Sequence, residues 1–226
     1  MPTPKNSEGE IVKMSLVKQC EALKLPLHKI DLAYNGKVEI ALVKHFEQYG
    51  YTGAYIEGKA IFTTLKGYLL KVLTKFNHLN SKEDAAFRYL EASLSLTAEH
   101  INAYLQEIED INRNTFVENM KYILNIPFIQ KDCSGLTLEF AVAFFEALDR
   151  QVLKNLLLEI LKNPYKYRNG WCDVTLIKAK KVRFIEVKTS DKLHDNQIFT
   201  IPKIRNILPY DFCIYKVKKI KDDETI

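Results

Sequence analysis

The chain has 226 residues, 47% of them hydrophobic, with a formal net charge of +5; this is enough apolar material for one large or two small domains, and the chain should fold by itself. Cys20, Cys133, Cys172 and Cys213 lie far apart with no paired spacing, which argues against a zinc knuckle or a disulfide framework and for reduced thiols. The polar start MPTPKNSEGE and the lack of an apolar run approaching about 18 residues argue against a signal peptide or membrane span, so the expectation is an intracellular, cytoplasmic protein with no membrane partner.

In chain order, IVKMSLVKQCEALKL, KVEIALVKHFEQYG, KAIFTTLKGYLLKVLTKF and LTLEFAVAFFEALDRQVLKNLLLEILKN place apolar residues at three- and four-residue intervals and read as helices. Gly50, Gly53 and Gly58 punctuate the stretch between the second and third. Ser81 with Asp84 and Thr115 with Glu118 have capping-box spacing. Near residue 165 the texture changes. CDVTLIK and VRFIEVK read as strands joined by a tight AKK hairpin, HDNQIFTIPKIRNIL as a helix that Pro202 kinks or ends, and DFCIYKVKK as a last strand.

Charge is distributed unevenly along this order. Residues 1–150 carry 17 Lys+Arg against 19 Asp+Glu, and residues 151–226 carry 16 against 9. The basic C-terminal third suggests a polyanionic partner, although solvated lysines on exposed strands give the same count.

The predicted hairpin brings chemistry to one end of a sheet. Asp173 stands at the start of one strand and Glu186 and Lys188 at the end of its antiparallel neighbour. Glu186 and Lys188, two apart, point to one face, with Val187 on the other. Two carboxylates, the Val187 carbonyl and water would suit Mg²⁺, beside an ammonium that could stabilise charge on a phosphoryl group. A plain surface hairpin with outward-facing charges is the competing reading. Tyr167 and Arg168 precede the Asp by a few residues and would lie beside a bound phosphate, although Arg168 can equally pair with a local carboxylate. Lys192 and Lys66 are weaker phosphate-contact candidates; Lys178, Lys180 and Lys181 at the hairpin tip are general contacts to a polyanion or simply solvated. Trp171 and the tyrosines are more often core than stacking platforms. His45, His78 and His194 show no ligand spacing.

Asp, hairpin, then Glu-x-Lys resembles the PD-(D/E)XK nuclease superfamily, with Cys172 where the name has Pro. The strings YRNGWCDVTLIK, FIEVK and DKLHDNQ together resemble the VRR-NUC domain, and ALVKHFEQYGYTGAYIEGKAIFTTLKGYLLKVL is similar to the helix-turn-helix entry of the Fanconi-associated nuclease type. That resemblance spans most of residues 38–217, but residues 77–160 match only in helical character. Thr189-Ser190 stands where Gly-Pro is common, and KGYLLKVL where a Trp-Asp pair is. The family's N-terminal DNA-binding module and helical repeats have no counterpart in these 226 residues, so crosslink repair is not carried over.

The resemblance implies an α/β fold, with a restriction-endonuclease-like core (a mixed β-sheet flanked by helices) preceded by a helix-rich part. It adds Glu57 as a third metal carboxylate, against an ordinary helix N-terminal carboxylate favoured by the dipole, and Gln197 as a supporting catalytic residue whose amide holds water or phosphate near the metal or merely sits in the first turn of a helix. It implies a Mg²⁺- or Mn²⁺-dependent DNase acting on branched DNA such as flaps or junctions, in repair or recombination, and a possible homodimer. The expected division is a flexible segment at 1–10, a helix-rich region at 11–160 supplying Glu57 and a DNA groove, a nuclease core at 161–220 and a charged tail at 221–226. A restriction or phage-defence nuclease, a catalytically silent structure-specific DNA-binding protein and a helical scaffold remain as alternatives.

Overall fold

A computed structural model describes residues 8–220. The expected tail at 221–226 and most of the expected N-terminal segment lie outside the described residues, while residues 8–10 of that segment form the first turn of a helix. The helices are α1 (Glu8–Val12), α2 (Leu16–Leu23), α3 (Val38–Glu47), α4 (Gly58–Phe76), α5 (Lys82–Phe87), α6 (Leu90–Ser93), α7 (Ala98–Asp110), α8 (Arg113–Leu124), α9 (Pro127–Asp132), α10 (Leu138–Ala147), α11 (Arg150–Lys162), α12 (Pro164–Tyr167) and α13 (Asp195–Arg205). The strands are β1 (Leu27–Ala33), β2 (Thr52–Ala54), β3 (Val174–Lys178), β4 (Lys181–Lys188) and β5 (Asp211–Ile220).

The strands form one mixed sheet in the order β1-β5-β4-β3-β2. The pairs β1/β5 and β4/β5 are parallel, and β3/β4 and β2/β3 are antiparallel. Both faces are covered, as a parallel segment requires. Phe184, Phe212, Ile214 and Ile177 pack against the large helical body centred on α4, and Ile185, Val187, Leu176, Cys213 and Val217 pack with Leu42, Val43 and Phe46 of α3 on the opposite face. The expected mixed sheet flanked by helices is the observed architecture.

Two strands, β1 and β2, come from before residue 160, so that boundary does not separate two packing units. The run from 136 to 163 is two helices, because Asp149 accepts from the N–H groups of Gln151 and Val152 and starts a second one. Ser81 caps α5 by accepting from Asp84 N–H, as its spacing predicts. Thr115 is not a cap: it lies inside α8, whose cap is Asn112, and its own N–H donates to the Asn112 side chain. Pro202 is carried inside α13, which ends three residues later; its missing N–H removes the bond to the Ile198 carbonyl. The hairpin turn is Ala179-Lys180, closed by the pair Lys178 and Lys181. Both turn residues have positive φ, 48° and 65°, the type I′ pattern whose twist matches the flanking strands.

Candidate active site

The β3/β4 register pairs Val174 with Ile185, and one step further places Asp173 across from Glu186. Glu186 and Lys188 share the face toward α4, with Val187 turned to the α3 side. Lys188 Nζ lies 2.7 Å from Glu186 Oε1 and 3.4 Å from Asp191 Oδ2. Gln197, on the first turn of α13, donates to the same Glu186 oxygen at 2.5 Å, and its own Oε1 accepts from His194 N–H at 3.0 Å. One residue therefore closes the helix start and aims an amide at the carboxylate. Val187 N–H donates to Asp173 Oδ2 at 2.9 Å, fixing that carboxylate against the strand.

The loop before β3 is clamped to the helices around it. Gly170 has φ +84°, and a Cβ there would stand 2.2 Å from the Asn196 carbonyl oxygen of α13, so only glycine allows this approach. Thr200 of α13 donates to the Asn169 carbonyl, and Trp171 Nε1 donates to the Tyr167 carbonyl at 2.7 Å. The Trp171 indole packs directly on Gly58, where a Cβ would meet it at 2.5 Å. That contact holds the start of α4 against the loop and brings Glu57 to it. Glu57 N–H donates to the Asp173 carbonyl, and Glu57 Oε1 accepts from Gly170 N–H at 2.9 Å. Glu57 itself sits at φ 52°, ψ −144°, a conformation that side-chain-bearing residues rarely adopt and that surrounding contacts must hold.

The site is strongly acidic for its burial. Desolvation and then the Asp173 carboxylate push Glu186 well above the usual carboxylate range, against the opposing pull of Lys188. Asp173 is also raised, chiefly by burial. Burial likewise raises Glu57, with the Asp173 charge adding to it. Lys188 is raised despite its burial because Glu186, then Asp191 and Asp173, favour its charge.

The remaining candidates fall in different places. Tyr167 is buried, its hydroxyl hydrogen-bonded to Glu159, so its assignment as a DNA contact is corrected to a core role. Lys66 is only 2% exposed on the buried helix α4 and donates to the Ala86 carbonyl at 2.9 Å; it too cannot reach a phosphate, and burial lowers it to about 8. Arg168 is half exposed and takes the local-carboxylate option, 3.6 Å from buried Glu91. Lys192 is exposed and donates to the Val12 carbonyl at the end of α1. Cys172 is wholly buried with its thiol raised far up by desolvation, a packing residue. Sequence reasoning did not single out Glu39 of α3, whose charge adds to the field at Asp173, or Glu91. Glu39 sits in an ordinary amphipathic helix and gives no local signal.

Glu186 Oε2 is buried without a hydrogen-bond donor. An orphaned carboxylate oxygen on Glu186, whose other oxygen is held by Gln197 and Lys188, with Asp173 opposite, suits a hard, oxygen-seeking divalent cation. Among the described residues no three His, Cys, Asp or Glu side chains form a ready ligand cage. Glu57, expected as a third ligand, has one oxygen accepting from Gly170 N–H and feels the Asp173 charge, while Asp173 and Glu186 are the carboxylates set opposite each other.

No family model and no curated protein matches this sequence. Its fold is similar to solved structures of paFAN1. One, bound to 5′-flap DNA with a 2-nt flap and gap, has TM-score 0.60 and 17% identity over 88% of this chain and 38% of that one. Another, bound to 5′-flap DNA with a 1-nt flap and gap, has TM-score 0.56 and 15% identity over 95% of this chain and 45% of that one. The chain spans less than half the length of either neighbour and shares its fold with the matched part of them.

Proposed function

We propose that the protein is a Mg²⁺- or Mn²⁺-dependent, structure-specific DNA nuclease that hydrolyses phosphodiester bonds at flaps or junctions. The observation that carries this reading is the opposed pair Asp173 and Glu186, with Glu186 Oε2 left without a donor and Lys188 ion-paired beside it. The neighbours of like fold were solved on 5′-flap DNA, which supports a branched substrate.

Asp173 and Glu186, with the Val187 carbonyl and water, would hold the cation. When bound, such a cation supplies Lewis-acid polarisation of the scissile phosphate and lowers the pKa of water. Gln197 restrains Glu186 in one rotamer and leaves its second oxygen facing the site. Lys188 lies where its ammonium can orient a water or meet charge growing on the phosphoryl oxygens. Glu57 holds the 170–173 loop, and so Asp173, in place through two backbone hydrogen bonds. A role in repair or recombination, and action as a homodimer, belong to the same proposal.

The test is an end-labelled cleavage assay on duplex, single strand, 5′ flap, 3′ flap and four-way junction with Mg²⁺ or Mn²⁺, wild type beside Asp173→Ala. Metal-dependent cutting lost in the variant is the expected result. Intact binding with no cutting of any substrate would leave a silent structure-specific DNA-binding protein.

A further inference from the structure

The parallel pairing on one side of the site aligns three lysines. Lys188 of β4 is in register with Lys216 of β5, and Lys216 with Lys29 of β1. Residues in register on parallel neighbours share a face, so Lys216 and Lys29 extend from Lys188 on the site side of the sheet. Strand spacing places each step about 4.8 Å from the last. The two outer lysines are exposed and make no ion pair among the described residues. Thr189 and Ser190, which follow Lys188 directly, line a shallow surface groove with Lys29, Lys216, Lys218 and Asp31. Lys219 also lines the groove, with its ammonium over the Tyr34 ring, and Asp31, in register with Lys218, is the one carboxylate in the lining, whereas Lys29 and Lys216 are the two lysines in register with Lys188.

We propose that Lys29 and Lys216, with the Thr189-Ser190 segment, form a phosphate-binding row on which the DNA backbone leaves the active site. This rests on the nuclease reading and deepens it: Lys188 serves the reacting phosphate, and the row holds phosphates further along the same strand. The sheet arrangement suits this partner. Flexible, strongly hydrated ammonium groups on a flat strand surface contact a polyanion without reading bases, and Thr and Ser hydroxyls and backbone N–H groups commonly add phosphate contacts. The row also gives Lys216 of the basic C-terminal third a place to act, since Lys192 of that third is engaged by the Val12 carbonyl.

Fluorescence anisotropy of the full chain on a labelled 5′-flap DNA in Ca²⁺, across a salt range of about 50 to 200 mM KCl, tests it. The double variant Lys29→Ala/Lys216→Ala should lower the slope of log K against log salt by about 1.8, at about 0.9 for each phosphate no longer neutralised. In Mg²⁺ it should raise KM with kcat kept. The exposed control Lys75→Ala/Lys121→Ala should keep the wild-type slope, and Lys29→Arg/Lys216→Arg should restore it. An unchanged slope in the double variant, or an equal fall in the control, overturns the row while wild-type cleavage leaves the nuclease reading standing. A wild type that neither binds nor cleaves any DNA overturns both.

Discussion

Two clusters of charge flank the loop from Arg168 to Asp173, and they are built differently. On the helical side, Lys66 is satisfied by the Ala86 carbonyl, Lys59 pairs with Asp132 at 2.6 Å and Arg168 approaches Glu91. Cations and carboxylates there are nearly balanced. On the sheet side, Asp173 and Glu186 face each other with one lysine between two obligations, and both of these carboxyls are raised. Buried charge that the fold itself pairs is structural, whereas buried carboxylate in excess asks for a cation that the chain does not supply.

Breaking the sheet-side cluster should do the most damage to activity. Asp173→Ala and Lys188→Ala should each lower the single-turnover cleavage rate by about 10²–10³-fold or more, the size of losing a preorganised charge at a transition state. DNA binding in Ca²⁺ should persist in both. Equal rates for variants and wild type would remove the distinction between the clusters.

On the helical side, Lys66→Met should leave cleavage intact and raise the melting temperature. The sign follows from a folded-state value of about 8 against 10.5 unfolded. Below pH 8 the fold carries the full penalty of a buried ammonium, and as pH rises from 8 to 10.5 the folded protein sheds the proton first, so wild-type stability recovers. The advantage of Lys66→Met should be largest below about pH 8, at most about 3 kcal/mol at about 1.36 kcal/mol per pH unit, and should fade toward about pH 10.5. Thermal melts across that range check it; a constant difference would mean that Lys66 is not the titrating group.

Gln197→Ala tests whether the amide tunes the metal carboxylate. Removing such a supporting hydrogen bond should weaken Mn²⁺ affinity or activity by about 10–100-fold. Calorimetric titration of Mn²⁺ would read it, and wild-type affinity would reduce Gln197 to a helix cap. Tyr167→Phe should matter least: it removes a core hydrogen bond to Glu159 and should cost about 1 kcal/mol of stability in urea unfolding without changing DNA affinity.

Much of this contrast was legible in the sequence. The β-branched and aromatic runs ending in VRFIEVK gave the hairpin, and the spacing of Glu186 and Lys188 gave their common face. Burial was not legible from spacing alone. Lys66 looked like a phosphate contact because lysine usually lies on the surface, yet its helical neighbours Phe62, Thr63, Leu69 and Leu70 are all buried, a signal that could have found its true place. Strand β1 was missed because it is an edge strand with His28, Lys29 and Asp31 exposed, which dilutes the β pattern. Strand β2 has only three residues and contains Gly53. The split at Asp149 has no Gly or Pro to mark it.

Glu186 and Glu91 separate the two clusters in a single experiment, since each buries one carboxylate oxygen without a hydrogen-bond partner, one in each cluster. Single-turnover cleavage of a 5′-flap substrate in Mn²⁺ should be abolished by Glu186→Gln and retained by Glu91→Gln. Retained cleavage in Glu186→Gln, or equal loss in both, would contradict the assignment of the reaction to the sheet-side cluster.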